Sequence, residues 1–276
     1  YRKLEAVCGP RTLISSNTST LPLSVLAEGF PDSFRRRFMI SHFFNPPRYM
    51  RLLELVVSPE LDRSLLDGVR RFADVKLGKG CVLCNDSPGF IANRIGTFWI
   101  QTALLKAIEL GLPVERCDAA MAWFGMPKTG IFGLLDLVGL DLLPHILHSF
   151  KRTLPGHDAL SPLCQVPPLL QGMIEQGLTG RKGAGGFYRL QTVEGGKVKQ
   201  AIDLTTGVYR LGEPYQLPAG AHHAHELRAF LDGGDVLNAY SWRVLSDTLV
   251  YSAGLIPEIA ADLDAIDTAM RRIRGQ

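Results

Sequence analysis

Two residues of this chain have the types and spacing of an acid–base pair. His42 follows the apolar run Phe38-Met39-Ile40, and Glu54 lies twelve residues later inside Leu52-Leu53-Glu54-Leu55-Val56. A carboxylate in such a run is costly to bury without a partner. The Asn45-Pro46-Pro47 turn between the two residues can bring their side chains together. An imidazole held by a carboxylate is oriented by it and gains basicity, which suits removal of a hydroxyl proton. Two further groups could hold the oxygen that loses this proton. Ser15-Ser16-Asn17-Thr18-Ser19-Thr20 offers hydroxyls just past a strand end, and Asn93 stands on the first turns of a long helix, whose N-terminus can face a ligand oxygen. Taken singly, each has a plain structural reading: a satisfied histidine, a helix cap, a surface asparagine.

Strands alternating with helices must position these groups. Thr12-Leu13-Ile14, Phe38-Met39-Ile40, Leu52 to Val57 and Gly80 to Cys84 read as strands. Pro22 opens a helix running to about Glu28, and Leu61, Leu65, Leu66, Val69 and Phe72 share one face of a helix over 59–75. The alternation predicts an α/β layer with parallel strands and polar groups at the strand ends, where open sheets bind ligands. After Cys84 the pattern turns helical. Ser87-Pro88 caps a long apolar helix over 89–110, closed by Gly111, and further helices are expected at 114–122, 131–136, 140–152 and 168–176. A Gly-rich turn over 180–186 precedes Phe187-Tyr188, and the polar stretch 190–222 holds a hairpin around Thr205-Thr206-Gly207. Helices return at 225–232, 238–254 and 257–271. The expected domains are therefore an α/β part over 1–84, a helical part over 85–190, a linker with a hairpin over 191–237, and a partial second helical repeat over 238–276.

The repeat rests on Arg94, Asp118, Ala120 and Met121, which match Arg243, Asp267, Ala269 and Met270 at one constant offset. The second copy has no covering helices after Met270. Residues 238–271 are thus expected to fold back on the 89–150 helices through Trp242, Leu245, Leu249 and Ile266, the alternative being that their apolar face stays exposed and drives self-association.

Composition narrows the function classes. A chain of 276 residues, 46% hydrophobic, can bury a real core in one or two domains, and a net charge of +3 does not favour nucleic acid. No apolar stretch reaches the roughly 18–20 residues that span a bilayer, and no signal-peptide pattern opens the chain. Five cysteines at irregular spacing point to a reduced, cytoplasmic setting. Cys81 and Cys84 lie three apart on a strand, on opposite faces, so they cannot share a metal. His222, His223 and His225 read as an exposed loop, and His145 and His148 as ordinary helix residues, so no metal is expected. Arg35-Arg36-Arg37 reads as a solvated helix end. The chain opens at Tyr1, without Met, in what reads as the end of a helix, as a fragment would.

Several segments together carry more than each does alone. Ser16-Asn17-Thr18-Ser19, His42-Phe43-Phe44-Asn45-Pro46, Glu54 and Pro88-Gly89-Phe90-Ile91-Ala92-Asn93-Arg94 occur in order, followed by Asp136-Leu137-Val138-Gly139-Leu140-Asp141 and the stretch Gly180 to Tyr188. Over about residues 1–190 the chain closely resembles the 3-hydroxyacyl-CoA dehydrogenase family of fatty-acid β-oxidation. Pro47-Arg48-Tyr49, Met126-Pro127-Lys128-Thr129 and the second helical copy look most like the long members, which carry an enoyl-CoA hydratase-like part.

The resemblance implies a partial dinucleotide-binding (Rossmann-like) domain followed by an all-α dehydrogenase domain, with NAD as cofactor and 3-hydroxyacyl-CoA oxidised to 3-ketoacyl-CoA. It implies His42 as general base with Glu54 as its partner. Ser19 and Asn93 would hold the substrate oxygen, Ser19 would also lie near the nicotinamide, and Asn45 and Lys182 would help hold NAD. It also leaves room for a homodimer. Two departures stand out. No GxGxxG turn precedes Thr12, and the glycines at 183–186 lack the strand–helix context to replace it. Lys128-Thr129-Gly130-Ile131-Phe132 stands where smaller members have Met-Gly-Pro-Phe. Residues 1–276 alone are therefore expected to bind NAD weakly and to be inactive. The rival readings are a two-domain dehydrogenase of small hydroxy acids and a non-catalytic acyl-CoA-binding or dimerisation module.

Overall fold

Four of the apolar runs join into one sheet. The computed structural model describes residues 1–194, 196–217 and 224–273. After α1 (Arg2–Val7) come β1 (Ile14–Ser16), α2 (Leu23–Leu26), α3 (Asp32–Arg35), β2 (Phe38–Phe43), β3 (Leu52–Val57), α4 (Arg63–Leu77) and β4 (Gly80–Cys84). The strand order is β1-β2-β3-β4. β1–β2 and β3–β4 are parallel, as expected, but β2–β3 is antiparallel. Connection length explains the difference. A parallel crossover needs a dozen or more residues, whereas β2 ends at Phe43 and β3 begins at Leu52.

The sheet core gathers Met39, Leu53, Leu55, Leu61 and Ala73, with Leu66 and Val69 of α4 packed against it. Phe72 falls off this face and is exposed. Asp62 caps α4 by accepting from the Ser64 amide at 2.9 Å, and Gly78 ends it at φ 62°. Of the three arginines, Arg37 is buried rather than solvated and donates to the Thr12 carbonyl.

Helices continue with α5 (Ala92–Leu110), α6 (Val114–Trp123), α7 (Phe132–Val138), α8 (Leu142–Thr153) and α9 (Pro168–Glu175). Then β5 (Tyr188–Val193), β6 (Gly196–Ile202) and β7 (Tyr209–Leu211) form an antiparallel sheet in that order. The expected hairpin around Thr205 is the β6–β7 turn, where Asp203 accepts from the amides of Thr205 and Thr206. β5 is mostly exposed, so no alternation of apolar and polar residues marked it in advance. The last helices are α10 (Ala224–Leu231), α11 (Val236–Gly254) and α12 (Leu263–Ile273). His222 and His223 lie outside the described residues, and His225 is on α10.

Two compact units emerge. One is Tyr1–Gly96 with the segment from Tyr251 onward; the other is Thr97–Val250. The expected docking of residues 238–271 on the 89–150 helices agrees with this for α11 up to Val250, which shares the second unit with those helices, and is corrected for α12 and for the contact residues. α12 packs on β3 and β4, burying Ile266 and Ala269 there. Trp242 and Leu249 are 57% and 69% exposed, and α11 instead buries Leu237, Tyr240, Ser241, Val244 and Thr248. That face was hidden by its small polar residues. Thr248 satisfies its hydroxyl on the Val244 carbonyl one turn back, so burying it costs little.

α6 and α12 lie at the offset of the matched residues, but Arg94 sits on the first turn of its helix and Arg243 about two turns into its own. Among the described residues, no helix is long and apolar enough to cross a membrane, and no group of three or more His, Cys, Asp or Glu is placed to hold a metal. All five cysteines are free thiols.

Candidate active site

The antiparallel pairing of β2 and β3 sets His42 directly opposite Glu54. Residues so paired have Cβ atoms about 5 Å apart, within reach of a side-chain bond. His42 Nδ1 lies 2.8 Å from Glu54 Oε2, with the two residues 5% and 0% exposed. A carboxylate only accepts, so Nδ1 carries the proton and Nε2 the lone pair. Phe44 and Phe90 flank the ring at 4.3 and 5.8 Å between centroids. Nε2 makes no hydrogen bond among the described residues and is not sealed from solvent. The imidazole is thus fixed on one side and available on the other.

The second oxygen of Glu54 has a role that sequence reasoning missed. Oε1 accepts from the amides of Ile91 at 3.1 Å and Ala92 at 2.8 Å, at the start of α5. The helix is capped from across the fold, not by Ser87, whose hydroxyl has no partner among the described residues. A turn through Gly89 (φ 77°) and Phe90 (φ 52°) separates Ser87 from the helix and aims its first amides at Glu54. A left-handed aromatic residue is uncommon and is held only where its surroundings insist; Phe90 is fully buried.

The hydroxyl loop and His42 share one end of the sheet, because β1 and β2 run parallel and both precede it. Asn17 fastens the loop by accepting from the Phe43 amide at 2.9 Å, and the Thr18 amide donates to the Ser16 hydroxyl. Asn93 donates to the Ser19 carbonyl at 3.3 Å, so these two residues are neighbours and both are half-buried. Asn45 is exposed just beyond β2. This end of the sheet thus gathers hydroxyls, a side-chain amide and an imidazole whose Nε2 has no partner among the described residues. No glycine-rich phosphate turn lies within the 276 residues.

Sequence models of one family match both parts of the chain. Residues 1–87 match the 3-hydroxyacyl-CoA dehydrogenase NAD binding domain, and residues 89–190 match the C-terminal domain of the same family. The chain belongs to the 3-hydroxyacyl-CoA dehydrogenase family.

A relative in Rickettsia felis, named as a fatty acid oxidation complex trifunctional enzyme, is 39% identical over 98% of this chain and 37% of its own length. A Bacillus subtilis relative, named as a 3-hydroxyacyl-CoA dehydrogenase, is 34% identical over 94% of this chain and 33% of its own length. The chain thus spans about a third of the curated relatives it matches so broadly. In fold, it is similar to the 3-hydroxybutyryl-CoA dehydrogenase of Escherichia coli, with a TM-score of 0.67 at 20% identity over 99% of this chain and 68% of that one.

In this member of the dehydrogenase family, two buried carboxylates tie the second unit together. Asp136 accepts from the amides of Phe187 at 2.7 Å and Tyr188 at 2.9 Å. A Cβ on Gly186 would fall 2.0 Å from its Oδ1, so only glycine lets the chain approach. Asp118 accepts from the amides of Phe132 and Gly133 at the start of α7, and from the Tyr188 hydroxyl at 2.8 Å. Burial outweighs these bonds and pushes Asp118 up to about 7 and Asp136 to about 6. Lys182 is 55% exposed and pairs with Asp141 at 2.7 Å, a bond that draws Asp141 below the usual carboxylate range.

Proposed function

We propose that this chain carries the acid–base half of an NAD-dependent oxidation of 3-hydroxyacyl-CoA to 3-ketoacyl-CoA. The observation that supports it most is the His42–Glu54 pair, with Nδ1 held and Nε2 open. His42 Nε2 takes the C3 hydroxyl proton, the C3–O bond becomes a carbonyl, and Glu54 stabilises the imidazolium that results. Bound NAD supplies the acceptor for the hydride leaving C3. Ser19 and Asn93 hold the substrate oxygen against His42, with Ser19 also near the nicotinamide, and Asn45 and Lys182 help hold the cofactor. On the same reading the protein acts as a cytoplasmic homodimer with an enoyl-CoA hydratase-like part; the Rickettsia relative is named as trifunctional, which is in keeping with more than one activity.

Two experiments test the reading. In a longer protein that includes a complete NAD site, His42→Gln lowers turnover of a 3-hydroxyacyl-CoA by about 10²–10⁴-fold. Near-normal turnover would sink the assignment. Residues 1–276 alone, lacking a glycine-rich phosphate turn, bind NAD weakly and do not turn over. Micromolar NAD affinity by calorimetry would contradict that half of the proposal.

A further inference from the structure

Arg94 is fully buried, and its guanidinium reaches three places at once. Nη1 donates to the Pro88 carbonyl at 3.0 Å, within the turn that aims the Ile91 and Ala92 amides at Glu54. Nε donates to the Tyr251 hydroxyl at 2.7 Å, and Nη2 pairs with Glu258 at 3.0 Å. Tyr251 and Glu258 are 157 and 164 residues away in sequence, yet they belong to the same compact unit as the His42–Glu54 pair. The segment is fastened at other points too. Asn85 donates its amide to the Ile259 carbonyl and its side chain to the Pro257 carbonyl, while α12 lies on β3 and β4.

A buried guanidinium is tolerated only where partners meet its donors. Here those partners are shared between the turn at Pro88 and the C-terminal segment. We infer that residues 251–258 act as a support for the catalytic pair, with Arg94 as the positioning residue that transmits it. The chain of contacts is continuous: Tyr251 and Glu258 hold Arg94, Arg94 holds the Pro88 turn, the turn aims two amides at Glu54, and Glu54 orients His42. The C-terminal segment is therefore part of the site's machinery and not an appended remnant of a repeat. Arg243, the residue at the matching offset, illustrates the contrast: among the described residues its guanidinium forms only an exposed pair with Asp247 one turn along its own helix.

The inference rests on the acid–base reading of His42 and Glu54, and its test separates the two. The ¹⁵N shifts of the His42 ring report which nitrogen carries the proton, and the His42→Gln variant identifies the signal. Residues 1–276 are compared with Glu54→Gln, Tyr251→Phe, Glu258→Ala and the Tyr251→Phe/Glu258→Ala double variant. Tyr251→Phe keeps the ring and removes only the hydroxyl, so it guards against a simple failure to fold. The expected result is that the double variant moves the His42 signals toward those of Glu54→Gln, while Arg243→Ala leaves them in place. In a longer, active protein the double variant lowers kcat by up to about 100-fold with little change in KM, the scale of a small misplacement of a reacting group. A lower melting temperature with unmoved His42 signals would make residues 251–258 merely structural and overturn the inference alone. If Glu54→Gln itself leaves the signals unmoved, the acid–base pair fails and the inference falls with it.

Discussion

Glu54 in the first unit and Asp118 in the second are built alike and used differently. Each is a buried carboxylate that accepts two backbone amides at the start of a helix, α5 for Glu54 and α7 for Asp118. Each then has one side-chain partner. For Glu54 it is an imidazole with its other nitrogen open; for Asp118 it is the hydroxyl of Tyr188, whose acidity burial removes from the accessible range. On the proposed reading, the same capping device thus serves a proton acceptor in one place and a rivet in the other. What distinguishes them is the chemistry of the third partner and its access to solvent, not the burial of the carboxylate.

The largest effect that could break this contrast lies at Glu54. Glu54→Gln in a longer, active protein is expected to lower kcat by about 10²–10³-fold, because the imidazolium loses its charged partner. Asp118→Asn in the same protein should leave the per-molecule rate of the folded fraction within a few-fold. Equal kinetic losses for both variants would erase the distinction. Next in size is Gly186→Ala, which drives a Cβ into Asp136. A loss of about 2–4 kcal/mol in denaturant unfolding is expected, on the scale of overpacking combined with a disturbed buried carboxylate. A near-neutral result would mean that the Asp136 cradle is looser than the contacts indicate.

Tyr188→Phe sharpens the comparison further down the scale. It leaves Asp118 one donor short and should cost about 1–3 kcal/mol without altering His42. The pH dependence supplies another test. Asp118 in the folded chain titrates near 7, against an ordinary value of 3.8. The raised value means that the folded state holds the proton more tightly, so this contribution to stability is full below about pH 4 and is lost as pH rises through about 7. Asp118→Asn should therefore flatten the fall in melting temperature between pH 5 and pH 8, and an unchanged slope would rule out Asp118 as its source. Smallest of all is Trp242→Gln on the exposed face of α11, expected to stay within about 0.5 kcal/mol in thermal unfolding of residues 1–276.

Much of the site was legible before any coordinates. Glu54 announced itself because a carboxylate in an apolar run needs a partner, and His42 was the group within reach. The strands over 52–57 and 80–84 were bounded as observed, since short apolar runs between turn residues leave few alternatives. The family itself was visible in the joint order of short motifs, each weak alone.

Other features belonged to the tertiary structure, for a common reason: they depend on contacts between residues distant in sequence. The amides that cap onto Glu54 come from 37 and 38 residues away, and nothing local to Ser87 hinted that it would not be the cap. The buried face of α11 could not be read from its apolar residues, because Ser241 and Thr248 share the buried side while Trp242 and Leu249 face out. Arg94 and Arg243 matched in the sequence but met different surroundings, one buried against Tyr251 and the other on the surface. Residue type and spacing determined which groups could do chemistry in this protein. Only the folded chain decided which backbone amides, and which distant segment, would hold them still.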